Sequence, residues 1–299
     1  MKKSKKNSFE ENPYLLILGD ASKKLKTVED KSIKLLYGSP PYPNAKRNYG
    51  CWPTKDYITK FKPFIEEALP KMRDDGFIVI NIKANRDQAT STSSSKRSLV
   101  VERIAIMMEE ELGLHCVDIE IWVKANPVPT GVRVACQDAY EYNLWFSVSP
   151  KWSINIDEIR TKYKESSINH YKNGLFKPRQ NGLMYVSREK KIIPNEKGAL
   201  PKNVGVISEE DSENPTNIMY GGVSQKVVGH QACQPGYVPR KYILATTEPG
   251  DIVMDLWNGS GTTGLETLKL GRKFIGFDIF KEYLDKSGGY FDDLLKRTG

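Results

Sequence analysis

Cysteine is scarce in this sequence, and the few cysteines present show no pattern that suggests chemistry. There are four in 299 residues, and they form neither a CxxC pair nor the His/Cys spacing of a zinc site. The four are Cys51, Cys116, Cys136 and Cys233. We therefore predict no metal site and no disulfide framework, and we expect reduced thiols, as in a cytoplasmic protein.

Long apolar runs and internal repeats are also missing. After the basic start at residues 1–6, the apolar stretch at residues 15–18 is too short for the hydrophobic region of a signal peptide. No segment approaches the roughly 20 apolar residues that a membrane span needs. We expect a soluble, cytoplasmic protein without a membrane partner.

Positive charge is in excess. The chain has 45 Lys and Arg residues against 37 Asp and Glu residues, which gives a formal net charge of +8 and a pI near 9.1. Such a surface attracts polyanions, because each neutralised phosphate releases counterions. Nucleic acid fits this balance, and so do a membrane surface and an acidic protein partner.

Apolar periodicity alternates between short buried strands and amphipathic helices, which predicts a doubly wound α/β sheet. The predicted strands are 15–18, 33–37, 77–82, 117–123, 141–148, 252–256 and 274–279. The predicted helices are 55–72, 99–112, 239–247, 262–270 and a last one from residue 281. The polar, serine-rich segment 88–98 predicts a mobile loop. Regular alternation fails between about residues 150 and 220, which predicts an inserted domain.

The tetrapeptide Ser39-Pro40-Pro41-Tyr42 follows the second predicted strand. Prolines donate no hydrogen bond, so the Pro40 carbonyl is held outward as a rigid acceptor, and Ser39 Oγ adds a second acceptor. Two such acceptors can grip the N–H protons of an exocyclic amine and free its lone pair. Tyr42 offers a flat face for a base taken out of the stack. On its own, the tetrapeptide is more typical of a proline-rich turn, and a peptide ligand is a further alternative.

A glycine-rich turn follows the sixth predicted strand, in Asp255-Leu256-Trp257-Asn258-Gly259-Ser260-Gly261-Thr262-Thr263-Gly264. Glycines at the end of a strand let the backbone approach a ligand closely, and Asp278 at the end of the next strand is placed to bind ribose hydroxyls. A dinucleotide-binding fold would add a third glycine for close helix packing, and we expect Thr262-Thr263 to replace it. An NAD site and a plain glycine turn are the alternatives.

Together the two motifs resemble those of the amino-methyltransferases of DNA, in the beta order, with the catalytic tetrapeptide before the cofactor glycines. The resemblance implies a Rossmann-like methyltransferase sheet with a catalytic half at 1–150, a target-recognition insert at 151–220 and a cofactor-binding half at 221–299. The implied S-adenosylmethionine ligands are Asp20, His230, Asp255, Trp257, Asn258, Gly259, Ser260, Gly261, Thr262, Thr263 and Asp278. The family usually has Asp-Pro-Phe where this chain has Asp255-Leu256-Trp257. The aromatic position is therefore filled by Trp257, and Leu256 replaces the proline.

The resemblance also implies residues that face DNA. Asn126 and Arg133 lie in a segment similar to the family's loop beside the target-base pocket, although an Asn-Pro step is by itself typical of a turn. The insert interleaves basic and aromatic residues and includes Lys190 and Lys191, a composition suited to phosphate contacts and guanine edges. A solvated basic surface is the alternative.

The implied activity is site-specific methylation of the exocyclic N4 of cytosine in double-stranded DNA after base flipping. Serine at position 39 goes in this family mostly with N4 of cytosine and aspartate with N6 of adenine, so adenine methylation is the nearest alternative. No cysteine follows a proline, which disfavours carbon methylation of cytosine. A noncatalytic nucleic-acid-binding protein on the same scaffold and an RNA or protein methyltransferase are the rivals. The family implies a prokaryotic or phage origin and a cognate restriction endonuclease as a candidate partner.

Overall fold

The computed structural model describes residues 9, 12–45, 50–86, 94–124, 136, 138–172, 194–204 and 234–298. Its strands are β1 (Tyr14–Leu18), β2 (Ile33–Gly38), β3 (Met72–Ile82), β4 (His115–Val123), β5 (Tyr140–Ser147), β6 (Ile252–Asp255) and β7 (Lys273–Asp278). Its α-helices are α1 (Ala21–Lys24), α2 (Tyr57–Ala68), α3 (Val100–Ile106), α4 (Glu165–Lys172), α5 (Tyr237–Thr246), α6 (Thr262–Lys269) and α7 (Lys281–Thr298).

The strands of the described chain form one sheet in the order β1-β7-β6-β2-β3-β5-β4. The first five run parallel, and β5 is antiparallel to both of its neighbours. All of the strands predicted from apolar periodicity are present, and β5 forms the predicted hairpin arm. The predicted α/β class is confirmed.

The helix predicted over residues 55–72 is too long. Helix α2 ends at Ala68, a 3-10 turn covers Leu69–Lys71, and β3 starts at Met72. Pro70 lies in that turn and has no N–H to continue the helical hydrogen bonds. The chain therefore enters β3 about one turn earlier than the apolar pattern suggested.

The core lies on both faces of the sheet, because successive strand residues point to opposite sides. On one face, Leu36 of β2 and Ile78 of β3 pack in the cluster that includes Phe61 of α2. On the other face, Tyr37 and Val79 pack with Tyr242 of α5. Covering both faces explains why the central strands are almost continuously apolar.

The described parts of the predicted insert lie near the sheet. Ile159 is buried in the cluster that contains Tyr242, and the Asn155 N–H donates to the Ala245 carbonyl at 2.7 Å. Val204 forms a parallel bridge with Ile121 of β4. The boundaries at residues 150 and 220 stay a prediction.

The connections place a crevice at the carboxyl ends of β6 and β2. From β6 the chain passes through α6 to β7, whereas from β2 it passes through α2 to β3 on the opposite side. Ligands of open α/β sheets bind where adjacent strands send their connections in opposite directions. Both sequence motifs follow these two strands. Among the described helices, none combines the length and apolar character that a bilayer crossing requires.

Candidate active site

The carboxyl ends of four neighbouring strands bring the predicted site residues to one edge of the sheet. Asp20 follows β1, Asp278 ends β7, Asp255 ends β6 and Ser39 follows β2. The Gly19 N–H donates to the Asp278 carbonyl at 2.8 Å, which joins the first two of these ends. Five predicted ligands lie outside the described residues: Asn126, Arg133, Lys190, Lys191 and His230.

The glycine turn between β6 and α6 is held mainly by backbone groups. The Gly259 N–H donates to Asp278 Oδ2 at 2.8 Å. Gly261 precedes α6 with a φ of 77°, a left-handed value that favours glycine, and a Cβ there would lie 2.5 Å from Ser287 Cβ. The turn thus requires glycine for both conformation and space.

The expectation that Thr262-Thr263 replace a third glycine is wrong. Gly264 lies in the first turn of α6, and a Cβ there would approach Phe291 Cζ to 2.4 Å and Phe274 Cε1 to 2.6 Å. The close contact of the helix with β7 and α7 therefore needs a residue without a side chain. The complete GxGxxG pattern is present, so the glycines alone do not separate a methyltransferase from a dinucleotide-binding fold.

Asp255 shapes the glycine turn from a buried position. Its Oδ1 accepts from the Trp257 N–H at 2.9 Å, and its Oδ2 accepts from Thr263 Oγ1 at 2.7 Å. Burial raises the pKa of Asp255 to about 7, against the hydrogen bonds that lower it. Both oxygens already have partners within the turn, and contact of Asp255 with a cofactor stays a prediction.

Asp278 and Asp20 are the two acidic residues predicted near an adenosine. Asp278 accepts from two backbone N–H groups, of Gly259 at 2.8 Å and of Phe280 at 2.9 Å, and burial raises its pKa against those bonds. A carboxylate offers about four lone-pair positions, so Asp278 can accept further hydroxyl donors. Asp20 caps α1 by accepting from the Ser22 N–H at 3.1 Å.

Trp257 links the glycine turn to the end of β2, the strand that precedes the tetrapeptide. Its ring stacks on Phe61 at a centroid distance of 5.9 Å, and a Cβ at Gly38 would lie 2.9 Å from Trp257 Cε3. Its Nε1 is buried and has no hydrogen-bond partner in the described part of the chain. Asn258 ties the turn to α7 by donating to Ser287 Oγ at 3.0 Å.

Two further polar residues of the turn lie at the start of α6. Ser260 Oγ and Thr262 Oγ1 are 3.1 Å apart, so one hydroxyl donates to the other. Both side chains are partly exposed. Helix N-termini carry free N–H groups, so this end of α6 is suited to a polar or anionic ligand group.

The backbone of the tetrapeptide is fixed by hydrogen bonds. Tyr57 donates its hydroxyl to the Pro41 carbonyl at 2.7 Å, and Asn85 Nδ2 donates to the Pro43 carbonyl. The Pro40 carbonyl has no hydrogen-bond partner within the described ranges. Pro40 itself is buried, and its carbonyl as an acceptor for a ligand stays a prediction.

A side-chain network supports the tetrapeptide. The Tyr42 hydroxyl lies 2.6 Å from Glu141 Oε2 and 3.0 Å from Asn81 Oδ1, and Ser39 Oγ lies 3.3 Å from the same Asn81 oxygen. Burial, followed by the Glu141 carboxylate, raises the pKa of Tyr42 well above its usual value, so its phenol keeps its proton. The sequence motifs assigned no role to Asn81 and Glu141. Asn81 is the one polar residue in the apolar run of residues 77–82, and Glu141 is an acidic residue near the start of β5.

Cations and aromatic rings lie beside this network. Arg97 pairs with Asp138 at 2.8 Å and lies 5.1 Å from the centre of the Tyr140 ring. Burial and then the neighbouring Lys124 ammonium lower the pKa of Lys83, which follows β3. The site thus combines a polar acceptor network with basic and aromatic neighbours. Within the described residues, no group of His, Cys, Asp and Glu side chains could hold a metal ion.

Comparison with known proteins agrees with this geometry. The family model described as DNA methylase, for N6 and N4 methyltransferases, matches residues 33–288, which include both motifs. The chain belongs to the DNA methylase family. Its tetrapeptide and glycine turn therefore lie within the matched region, and the family assignment accounts for both motifs in one chain.

Individual relatives of this DNA methylase cover most of its length. The Type II methyltransferase M.PvuII of Proteus hauseri is 25% identical over 97% of this chain and 87% of that protein. The solved structure titled PvuII DNA methyltransferase (cytosine-N4-specific) covers 95% of this chain and 92% of its own, with a TM-score of 0.64 and 21% identity. A solved complex of M1.HpyAVI with S-adenosylmethionine covers 92% of this chain and 98% of its own, with a TM-score of 0.57 and 22% identity. These structures confirm the predicted methyltransferase fold.

Proposed function

We propose that this DNA methylase transfers a methyl group from S-adenosylmethionine to the exocyclic N4 of cytosine, at a specific sequence in double-stranded DNA, after base flipping. The observation that carries the proposal is the adjacency of the two motifs. Ser39-Pro40-Pro41-Tyr42 follows β2, and the glycine turn follows β6, its neighbour in the sheet. An acceptor for an amine and a cradle for a nucleoside therefore share one crevice.

The residues present fit S-adenosylmethionine. Asp278 has lone pairs left for ribose hydroxyls, with Asp20 beside it, and the Gly259 N–H brings the backbone of the glycine turn to the same carboxylate. The buried Trp257 Nε1 and the partly exposed Ser260 and Thr262 hydroxyls add polar groups to the same end of the sheet. When bound, the cofactor supplies a methyl group activated by its sulfonium charge. The solved M1.HpyAVI complex supports this cofactor assignment.

The tetrapeptide can hold an exocyclic amine through two acceptors. The Pro40 carbonyl is without a partner in the described chain, and Ser39 Oγ keeps lone pairs when its proton points to Asn81 Oδ1, 3.3 Å away. Gripping both amine N–H groups draws the nitrogen toward tetrahedral geometry and frees its lone pair for attack. Ser39 carries no charge, so we infer that the amine loses its proton after methyl transfer.

The choice of cytosine N4 rests on Ser39 and on the M.PvuII relatives. One solved relative is titled cytosine-N4-specific, and the M.PvuII sequence is named a Type II methyltransferase. The family model covers both N6 and N4 methyltransferases, so adenine N6 is the second candidate. Both products would use the same pair of acceptors.

The remaining assignments follow from the same proposal. We assign Asn126 and Arg133 to the target-base pocket, Lys190 and Lys191 to phosphate contacts in a recognition insert, and His230 to the cofactor. The Type II name of the relative favours a cognate restriction endonuclease as partner, in the cytoplasm of a prokaryotic cell or a phage-infected one.

Methyl transfer from tritiated S-adenosylmethionine to plasmid DNA, total RNA and a protein mixture tests the activity. We expect label in DNA only, and Ser39→Ala should reduce turnover by a few orders of magnitude at most, because the Pro40 carbonyl remains. Label in RNA or protein would reassign the substrate. Binding of DNA without any transfer would make the chain a noncatalytic nucleic-acid-binding protein.

A further inference from the structure

Glu141 is a buried carboxylate beside the tetrapeptide. It is the second residue of β5, with 3% of its surface exposed. Its Oε2 accepts from the Tyr42 hydroxyl at 2.6 Å, and its Oε1 is paired with Lys124 Nζ. Burying a charge is costly unless it is paired and hydrogen-bonded, and both conditions are met here.

Lys124 is brought to Glu141 by the hairpin of β4 and β5. The Lys124 N–H donates to the Ala139 carbonyl at 2.6 Å, directly before β5 begins. The Lys124 ammonium also lies 4.9 Å from the centre of the Trp122 ring. The cation is therefore placed by the backbone as well as by its charge.

Asn81 offers one oxygen to two hydroxyl groups. Its Nδ2 donates to Asn143 Oδ1 at 3.0 Å and to the Tyr142 carbonyl at 3.3 Å, so Oδ1 faces Ser39 and Tyr42. Tyr42 has a single proton and two acceptors in reach, Glu141 and Asn81. Ser39 has Asn81 as its nearest acceptor.

The Glu141 carboxylate is the stronger of the two acceptors for the Tyr42 proton. Hydrogen bonds to an ionised acceptor are shorter and about twice as strong as neutral ones, and 2.6 Å to Glu141 is the shorter of the two Tyr42 contacts. With the phenol proton on the Glu141 side, Ser39 is the hydroxyl that donates to Asn81 Oδ1 without a competing proton from Tyr42. The Ser39 lone pairs then point away from Asn81 and are available to an amine.

We propose that Glu141, held by Lys124, is a positioning residue that draws the Tyr42 proton away from Asn81 and so sets the Ser39 hydroxyl as an acceptor for the target amine. This inference rests on the proposed function. It deepens that function by naming the residues that orient Ser39, which come from strands distant from it in sequence.

A double-variant cycle with Glu141→Gln and Tyr42→Phe tests the proposal. Glutamine replaces the ionised acceptor with a neutral one, so the phenol proton no longer favours the side of residue 141 and shifts toward Asn81 Oδ1, where it competes with the Ser39 proton. We expect kcat on plasmid DNA to fall about tenfold or more, with calorimetric affinity for S-adenosylmethionine unchanged. Tyr42→Phe removes the competing proton, so the double variant should turn over faster than Glu141→Gln alone.

A matched control exists in the same sheet. Glu120 on β4 is also buried and accepts from a lysine and a tyrosine, Lys241 and Tyr242, each at 2.6 Å. That group belongs to the α5 face of the sheet and does not contact the tetrapeptide. Glu120→Gln and Tyr242→Phe should lower the free energy of unfolding, leave kcat unchanged and show no rescue of one by the other.

The outcomes separate the inference from the proposed function. Wild-type protein that transfers no methyl group to plasmid DNA would defeat the proposed function itself. An active wild type whose Glu141→Gln variant keeps full kcat would overturn the positioning role. So would a double variant slower than Glu141→Gln, because additive losses indicate two independent structural contacts.

Discussion

The cofactor end and the catalytic end of this site lie on neighbouring strands but are held by different groups, backbone amides at one end and side chains at the other. At the cofactor end, backbone N–H groups and glycines shape the turn, as in the bond from Gly259 to Asp278 and the close packing at Gly264. At the catalytic end, side chains that follow or belong to separate strands hold Ser39 and Tyr42. One end is a continuous turn anchored mainly through its backbone, and the other is a set of side chains from strands that are distant in sequence.

This difference predicts different responses to substitution. A change at the cofactor end should act through packing or through the loss of a backbone anchor, and it should affect cofactor affinity or stability. A change at the catalytic end should alter the orientation of protons and affect turnover. Substitutions at the cofactor end, and at lysines of the predicted recognition insert, can therefore test whether the two ends act separately.

Asp278→Ala should weaken binding of S-adenosylmethionine most. A carboxylate that accepts from ribose hydroxyls contributes charge-assisted bonds worth about 1.5–3 kcal/mol, and the variant also loses the anchor of the Gly259 N–H. Calorimetric titration measures the change. Asp293→Ala, an exposed position on α7, is the matched control. A folded Asp278→Ala variant with full affinity would remove this residue from the site.

Gly264→Ala should destabilise the protein by about 1–3 kcal/mol, because the added methyl group meets the buried rings of Phe274 and Phe291. Denaturant unfolding measures the loss. A methyl group added at Gly289 on α7 would point into open space, so Gly289→Ala should be neutral or stabilise by up to about 1 kcal/mol. Equal effects at both glycines would contradict close packing of α6.

Asp255 should make stability depend on pH. Its pKa in the folded protein is raised from 3.8 to about 7, so the folded state holds this proton more tightly than the unfolded state does. The free energy of unfolding should therefore fall as pH rises between these two values, with a contribution of up to about 1.4 kcal/mol per pH unit, and level off above the higher one.

Asp255→Asn provides the comparison for that pH dependence. Asparagine does not titrate, so the variant should lack the Asp255 part of the slope while keeping the rest of the wild-type profile. Chemical unfolding at a series of pH values gives both curves. Parallel curves for the two proteins would show that Asp255 is ionised throughout and that the turn tolerates its charge.

The weakest effect should come from Lys190 and Lys191, which are predicted to contact phosphates from the insert and not to bind the cofactor or the target amine. Replacing either with alanine should reduce the slope of log affinity for DNA against log salt by about one, without changing which base is methylated. Binding to plasmid DNA at several salt concentrations measures this. An unchanged slope would place the phosphate contacts elsewhere in the chain.

The same contrast explains what the sequence could predict. The strands, the tetrapeptide and the glycine turn are local patterns, and each is found where its pattern predicts. Asn81 and Glu141 are distant from Tyr42 in sequence, and their role depends on the pairing of β3 with β5, which sets Asn81 opposite Asn143. Periodicity cannot give that register.

Two errors have local causes. The predicted helix was too long because the apolar pattern continues past Pro70 into β3. The helix itself ends before Pro70, which has no N–H to continue its hydrogen bonds. The third glycine could have been predicted from the sequence, since Gly264 has the spacing that the GxGxxG pattern requires. Its function as a packing residue became evident only from the contacts of α6 with Phe274 and Phe291.

The identity of the methylated base tests the central claim most directly. Plasmid DNA is methylated by the purified protein with S-adenosylmethionine and digested to nucleosides, and the modified nucleoside is identified by mass spectrometry. The proposed action of Ser39 and the Pro40 carbonyl on an exocyclic amine predicts N4-methylcytosine. N6-methyladenine would contradict the choice of base while keeping the amine chemistry, and 5-methylcytosine would contradict the mechanism.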